Sequence, residues 1–178
     1  MKRMITLAVV TLLGVVGILP AAHASAAPYC GITWGSTAKS LDQSSSKQLI
    51  DVRTGRHDCY DRMVLQMNGP AAGYDVRYVS NVYADGSGEP IDLTGGAKLN
   101  IVLQAPSYNP DTGIPTYGGR VNHTLPGVNL TGYQTFKSAK FAGSSEGTTT
   151  LGLGVRARLP FRVFILNDRV VIDVAHKW

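Results

Sequence analysis

The sequence predicts an all-β protein, a β-sandwich or partly open barrel of about eight or nine short strands. Three observations predict it: apolar and polar residues alternate with a period of two in run after run, glycine-rich turns separate the runs, and no stretch of the body shows the period of a helix. The 178 residues suit one domain, and a 44% apolar, 16% charged composition excludes a disordered chain. With only two cysteines, a disulfide-dense mini-protein is excluded as well.

Residues 1–26 read as a cleaved secretory signal. Lys2 and Arg3 form a basic head, residues 5–19 carry no charge, and small residues follow Pro20. Both Ala22-x-Ala24 and Ala24-x-Ala26 fit a cleavage site; cutting after Ala26 is preferred. A membrane-spanning helix needs about 20 apolar residues, more than this run supplies, so no stable membrane anchor is expected after cleavage. Tyr29, directly before Cys30, is too bulky for a lipid-attachment site. Losing Lys2 and Arg3 takes the net charge from +5 to +3. That balance is too weak to argue for nucleic acid but suits a polyanionic surface. Export to an oxidising space predicts a Cys30–Cys59 disulfide. Closing a loop of about 30 residues, it contributes on the order of 3–4 kcal/mol. It would tie an N-terminal arm, 27–47, with its Trp34, to a β domain spanning 48–178.

Within the arm, residues 36–47 are polar and aperiodic and read as a loop with room for one helical turn. Strand-like alternation follows. Met63, Leu65 and Met67 alternate with Arg62, Val64 and Gln66; then come Tyr74, Val76 and Tyr78, and then Leu99, Ile101 and Leu103. Leu151, Leu153, Val155, Ala157 and Leu159 form the longest alternating run. Asn68-Gly69-Pro70, Asp85-Gly86-Ser87-Gly88 and Gly95-Gly96 mark turns. Residues 105–130, rich in proline and glycine, read as one long loop. The clearest unit is a hairpin of 161–166 and 169–174 around Asn167-Asp168. Its register pairs Phe161 with Val174, Val163 with Ile172 and Ile165 with Val170 on a core face. On the other face it pairs Arg162 with Asp173, a structural ion pair worth about 0.2–1 kcal/mol, and Phe164 with Val171.

Chemistry is sparse. The run from Arg56 to Arg62, with His57, Asp58 and Asp61, is the densest in charge. It reads either as a site for an anionic or carbohydrate ligand or, more simply, as an ion-pair cluster closing a strand beside the disulfide. No histidine spacing suits a metal, and no cofactor is implied. His176 is expected at the surface. Gly143-Ser144-Ser145-Glu146-Gly147 spells G-x-S-x-G, but the strand-like Thr148-Thr149-Thr150 follows where a hydrolase elbow needs a helix, so a hairpin loop fits better. Gly152 and Gly154 share one strand face with Arg156 and Arg158 beyond them. That strip is either a glycine-floored, arginine-edged groove or simply a place where another segment lies over the sheet.

Several phrases then resemble a known family. They are Trp34-Gly35-Ser36, residues 51–58, Tyr60-Asp61-Arg62, residues 73–78, Asp85-Gly86-Ser87-Gly88, residues 142–147, residues 159–163 and residues 169–176. In this order they are similar to the AMIN-like domain proteins exported by actinobacteria, over nearly all of 30–178. More distantly they resemble the AMIN domain of N-acetylmuramoyl-L-alanine amidases. The resemblance implies a β-sandwich that binds peptidoglycan. It carries over no catalytic residue, because the amidase's zinc-binding His and Glu have no counterpart here. The expected function is therefore a secreted, non-catalytic module at the cell wall, with cell-wall polymer or another envelope protein as partner. Candidate ligand contacts are Arg53, Arg56, Arg156 and Arg158 for anionic groups, with Trp34 and Tyr117 for sugar faces. The alternatives are a protein-interaction module acting through a sheet edge and, less favoured, a hydrolase using Asp61, Asp173 or His176.

Overall fold

The computed structural model describes residues 27–178, so the expected signal segment lies outside the described residues. A 3₁₀ turn over Tyr29–Gly31 is followed by nine strands: β1 (Lys39–Leu41), β2 (Leu49–Arg56), β3 (Tyr60–Met67), β4 (Tyr74–Val79), β5 (Ala97–Leu103), β6 (Phe136–Ser145), β7 (Thr148–Val155), β8 (Phe161–Leu166) and β9 (Arg169–Ala175). They form two antiparallel sheets, ordered β1-β4-β5-β7-β6 and β2-β3-β9-β8. One apolar cluster joins them: Val52, Met63, Leu65, Ile172 and Val174 from the four-stranded sheet meet Val76, Leu99, Ile101, Leu151 and Leu153 from the five-stranded one. The architecture is a sandwich, not a closed barrel.

Alternation explains most of the strands. Along β3 the inward residues Asp61, Met63, Leu65 and Met67 are buried and the intervening ones are half-exposed. The β8–β9 hairpin has the register read from the sequence, with Phe161 opposite Val174, Arg162 opposite Asp173 and Ile165 opposite Val170. Its turn residue Asn167 takes a φ of 55°, a left-handed value that asparagine tolerates better than most residues.

Departures have local causes. Two strands, β2 and β6, carry bulges at Leu49/Asp51, Phe136/Ser138 and Phe141/Gly143. Each bulge shifts the side-chain phase, so no continuous period of two survives in their sequences. The arm is not a plain loop: Lys39–Leu41 pairs with β4 as a short edge strand. The run expected to reach Leu159 leaves the ladder at Val155.

The strip over Gly152 and Gly154 is covered. A Cβ on Gly152 would come within 2.8 Å of Leu93, and one on Gly154 would strike the Thr94 carbonyl and the Ser138 hydroxyl. The segment carrying Ile91 and Leu93 crosses this outer face and packs with Val82, Ala84 and Ala142 into a second small core. The glycine-floored groove is therefore filled by the chain itself.

The long loop after β5 shields two sheet edges. Thr116 Oγ1 donates to the Leu49 carbonyl at 2.8 Å and the Tyr133 hydroxyl to Thr54 Oγ1 at 2.9 Å, both on β2. On β6, the amides of Asn122 and Leu125 donate to the carbonyls of Phe141 and Ala139. Covering an edge in this way prevents strand addition.

Candidate functional site

On the outer face of the four-stranded sheet, three neighbouring strands bring Arg62, Asp173 and Arg162 into one row. The Asp173 carboxylate is fully buried although it faces outward. Arg62 grips it with two bonds, Nε to Oδ1 at 2.7 Å and Nη2 to Oδ2 at 2.9 Å, and Arg162 Nε reaches Oδ2 at 2.8 Å. These bonds hold the Arg62 guanidinium above its ordinary pKa range. One carboxylate between two guanidiniums leaves a net positive charge on the row.

Aromatic rings frame that charge. Arg162 lies 4.5 Å from the Trp34 ring centroid and 5.0 Å from that of Phe164; Arg62 lies 5.3 Å from Tyr60 and 5.6 Å from Phe164. Such contacts favour a cation over a ring face and fix the guanidinium plane. Trp34 also meets Tyr60 edge to face, with centroids 5.6 Å apart. The arm delivers Trp34 because Cys30 and Cys59 are disulfide-bonded and the Phe161 amide donates to the Gly35 carbonyl at 2.9 Å. Further along the same face, Gln66 Oε1 accepts from Arg53 Nη2 at 2.9 Å and from Arg169 Nε at 2.8 Å. Arg53 and Arg169 also pair with Asp51 and Asp168, at 3.2 and 3.4 Å.

A family model described as an AMIN-like domain matches residues 47–176, most of the chain. The chain belongs to the AMIN-like domain family. Comparison with the curated proteins and with the solved structures returns no match. Membership points to a module associated with the cell wall. Together with the disulfide it points to an extracellular protein, and no helix among the described residues is long and apolar enough to cross a membrane.

This AMIN-like domain does not gather the sequence's candidate contacts into one place. Arg53 and Trp34 share the outer face just described. Arg56 lines a separate cavity of ≈ 310 Å³ beside His57, Gly132 and His176. The Arg156 side chain donates to the His176 carbonyl, which commits it to holding the end of the chain. Arg158 lies 5.2 Å from the Tyr78 ring at the other sheet. Tyr117 is withdrawn from the surface: it is 5% exposed, and its hydroxyl donates to the Pro126 carbonyl at 3.1 Å.

The charged run from Arg56 to Arg62 is not one ion-pair cluster. Because successive strand residues face opposite sides, Arg62 goes outward to Asp173 while Asp61 goes inward. There Asp61 Oδ2 accepts the amides of Thr135 at 2.6 Å and Phe136 at 3.0 Å, and Oδ1 lies 3.1 Å from His176 Nε2. His176 is accordingly not a surface residue: it is 2% exposed, with Nδ1 buried and unpartnered among the described residues. It continues the inward series Val170, Ile172, Val174 by one more step, a signal present in the sequence.

Asp61 and Asp173 have the donors around them fixed, which makes them clamps. The G-x-S-x-G letters fold as a hairpin: Ser145 pairs with Thr148, and Glu146 and Gly147 turn at φ of 48° and 80°. Both positive values match the tight turn that suits twisted strands. No group of three or more His, Cys, Asp or Glu among the described residues is placed to hold a metal ion. Sequence reasoning paired Arg162 with Asp173 and set Phe164 on the same hairpin face, but missed Arg62 and Tyr60, since β3 lies beside β9 only in the folded sheet.

Proposed function

We propose that this AMIN-like domain is an exported, non-catalytic binding module for cell-wall polymer, peptidoglycan above all, and that the outer face of the four-stranded sheet is its binding surface. In this reading residues 1–26 are the leader, 27–47 the disulfide-tied arm and 48–178 the binding domain. The observation that carries it is the alternation of guanidiniums and rings across one face: Arg53, Arg62 and Arg162 with Trp34, Tyr60 and Phe164. Guanidiniums grip carboxylates and rings stack on the apolar faces of sugars, the two groups that peptidoglycan presents together. With the edges of β2 and β6 shielded, strand addition by a protein partner is confined to the edges at β1 and β8. A hydrolytic reading fares worse still, because the lone pairs of Asp61 and Asp173 are already engaged.

The test is co-sedimentation of the purified protein, disulfide intact, with purified peptidoglycan across a salt series. Retention is expected, weakening as salt rises because exposed charges are screened. Exchanging Arg53 and Arg162 together for alanine is expected to lower retention at least tenfold, an amount consistent with losing about 1.4 kcal/mol or more of charge-assisted bonding. Absence of pelleting at every salt concentration would end this reading and turn the search to a protein partner.

A further inference from the structure

One cavity lies away from that face. It is a cleft of ≈ 500 Å³ at one end of the five-stranded sheet, lined by Tyr78, Ser80, Gly95, Gly96, Lys98 and Arg158 among others, with no carboxylate in its wall. Two cations meet there, and neither forms an ion pair among the described residues. Lys98 Nζ donates to the neutral Asn81 Oδ1 at 2.7 Å, and Arg158 makes two long bonds to Ser36, each 3.3 Å. By contrast, Arg53, Arg62, Arg77, Arg162 and Arg169 each have an aspartate partner.

The arginine is held in place. Its guanidinium rests over the Tyr78 ring, and that ring is pinned because its hydroxyl donates to the Leu159 carbonyl at 2.9 Å and accepts the Leu159 amide at 3.0 Å. Backbone donors add to the cleft. Gly95 and Gly96 are exposed, and their amides have no acceptor among the described residues. Glycine is required at both positions, since a Cβ on Gly95 would lie 2.5 Å from the Val155 carbonyl oxygen and one on Gly96 would strike that of Arg156.

We infer that the cleft between Gly95-Gly96, Lys98 and Arg158 is a binding site for a phosphate ester, of the kind that links the units of a phosphodiester polymer. A carboxylate holds its two oxygens in one plane; a phosphodiester sets its two charged non-bridging oxygens tetrahedrally, and backbone amides with a lysine and an arginine, converging from different directions, are a donor set suited to it. The volume admits one such group with part of its neighbouring unit. This site is separate from the outer-face surface and does not rest on that reading.

The test is an NMR titration of the whole protein, disulfide intact, at constant ionic strength. Its probes are inorganic phosphate, poly(glycerol phosphate) and, as a carboxylate polymer, polygalacturonate. Saturable shifts of the Gly95, Gly96 and Lys98 amides with both phosphate probes are expected. Lys98→Ala should weaken poly(glycerol phosphate) binding about tenfold, as for one charge-assisted bond. Arg53→Ala with Arg162→Ala should leave it unchanged, which separates this site from the peptidoglycan-binding face. Because Lys98 is a half-exposed side chain, its loss is expected to leave the melting temperature in place, so that weakened binding reports the site and not unfolding. Shifts that fail to saturate, shifts with polygalacturonate alone, or binding indifferent to Lys98→Ala would overturn the inference.

Discussion

At Asp173 a carboxylate is buried on the outside of a sheet, and two arginines make that placement tolerable. Alone, a desolvated carboxylate is costly; with three charge-assisted bonds from Arg62 and Arg162 it becomes the anchor of the aromatic face. Removing it leaves two guanidiniums side by side with nothing between them. Breaking a fully buried ion pair costs about 3–5 kcal/mol, but the Arg162 side chain is 40% exposed and solvent relieves part of that loss. Asp173→Ala is therefore expected to destabilise the protein by about 2–3 kcal/mol, read as a lower urea midpoint with an unchanged slope. A loss below about 0.5 kcal/mol would mean that the row behaves as an ordinary surface pair. Half of the row was legible in the sequence. The hairpin register sets Arg162 opposite Asp173 only 11 residues away. Arg62 comes from 111 residues away, and its place depends on which strand lies beside β9, which no local pattern encodes. Tyr117 was misread for a related reason: its loop has no periodicity to show which residues turn inward.

Elements with an unbroken period of two, β3, β4, β5, β7, β8 and β9, were readable as strands; β2 and β6 were not, because their bulges reset the phase. The arm is a different kind of element. Its three-residue strand is too short for a pattern, and its position comes from the Cys30–Cys59 bond together with the Gly35–Phe161 hydrogen bond. The disulfide thus links a feature of the covalent chain to the function of a sheet face, since Trp34 reaches Arg162 only while the arm is docked. Cys30→Ser with Cys59→Ser is expected to cost about 3 kcal/mol, which for a domain of this size lowers the melting temperature by roughly 6–12 °C. The chain has two tryptophans, Trp34 and Trp178, so release of the arm should also change the intrinsic fluorescence. A variant that keeps both its melting temperature and its emission would show that packing alone docks the arm.

Across the whole sandwich, three tyrosines join parts that strand pairing does not. The Tyr74 hydroxyl on β4 donates to the Val163 carbonyl on β8, Tyr78 on the same strand donates to Leu159 just before β8, and Tyr117 ties two parts of the long loop. Burial raises the pKa of all three phenols above the ordinary value, because desolvation disfavours the phenolate. An unfolded phenol titrates near about 10, so above that pH the unfolded chain loses protons that the folded chain keeps. Stability falls with rising pH wherever the folded state binds more protons. The contribution of the three tyrosines is therefore complete below about pH 10 and is lost as pH climbs toward their folded pKa values. Lys39, whose pKa is lowered by burial, works in the opposite direction and offsets part of the loss. Three phenols against one amine leave a net alkaline destabilisation. The denaturation midpoint is expected to hold steady from neutrality to about pH 9 and to fall above about pH 10, with phenolate absorbance appearing together with unfolding. Tyr117→Phe removes one of the three from the balance and should make the alkaline fall shallower, at a cost near neutrality of about 1 kcal/mol for the lost bond to Pro126. If phenolate absorbance developed fully while the protein remained folded, the tyrosine hydroxyls would be open to solvent and would not be the ties between the sheets.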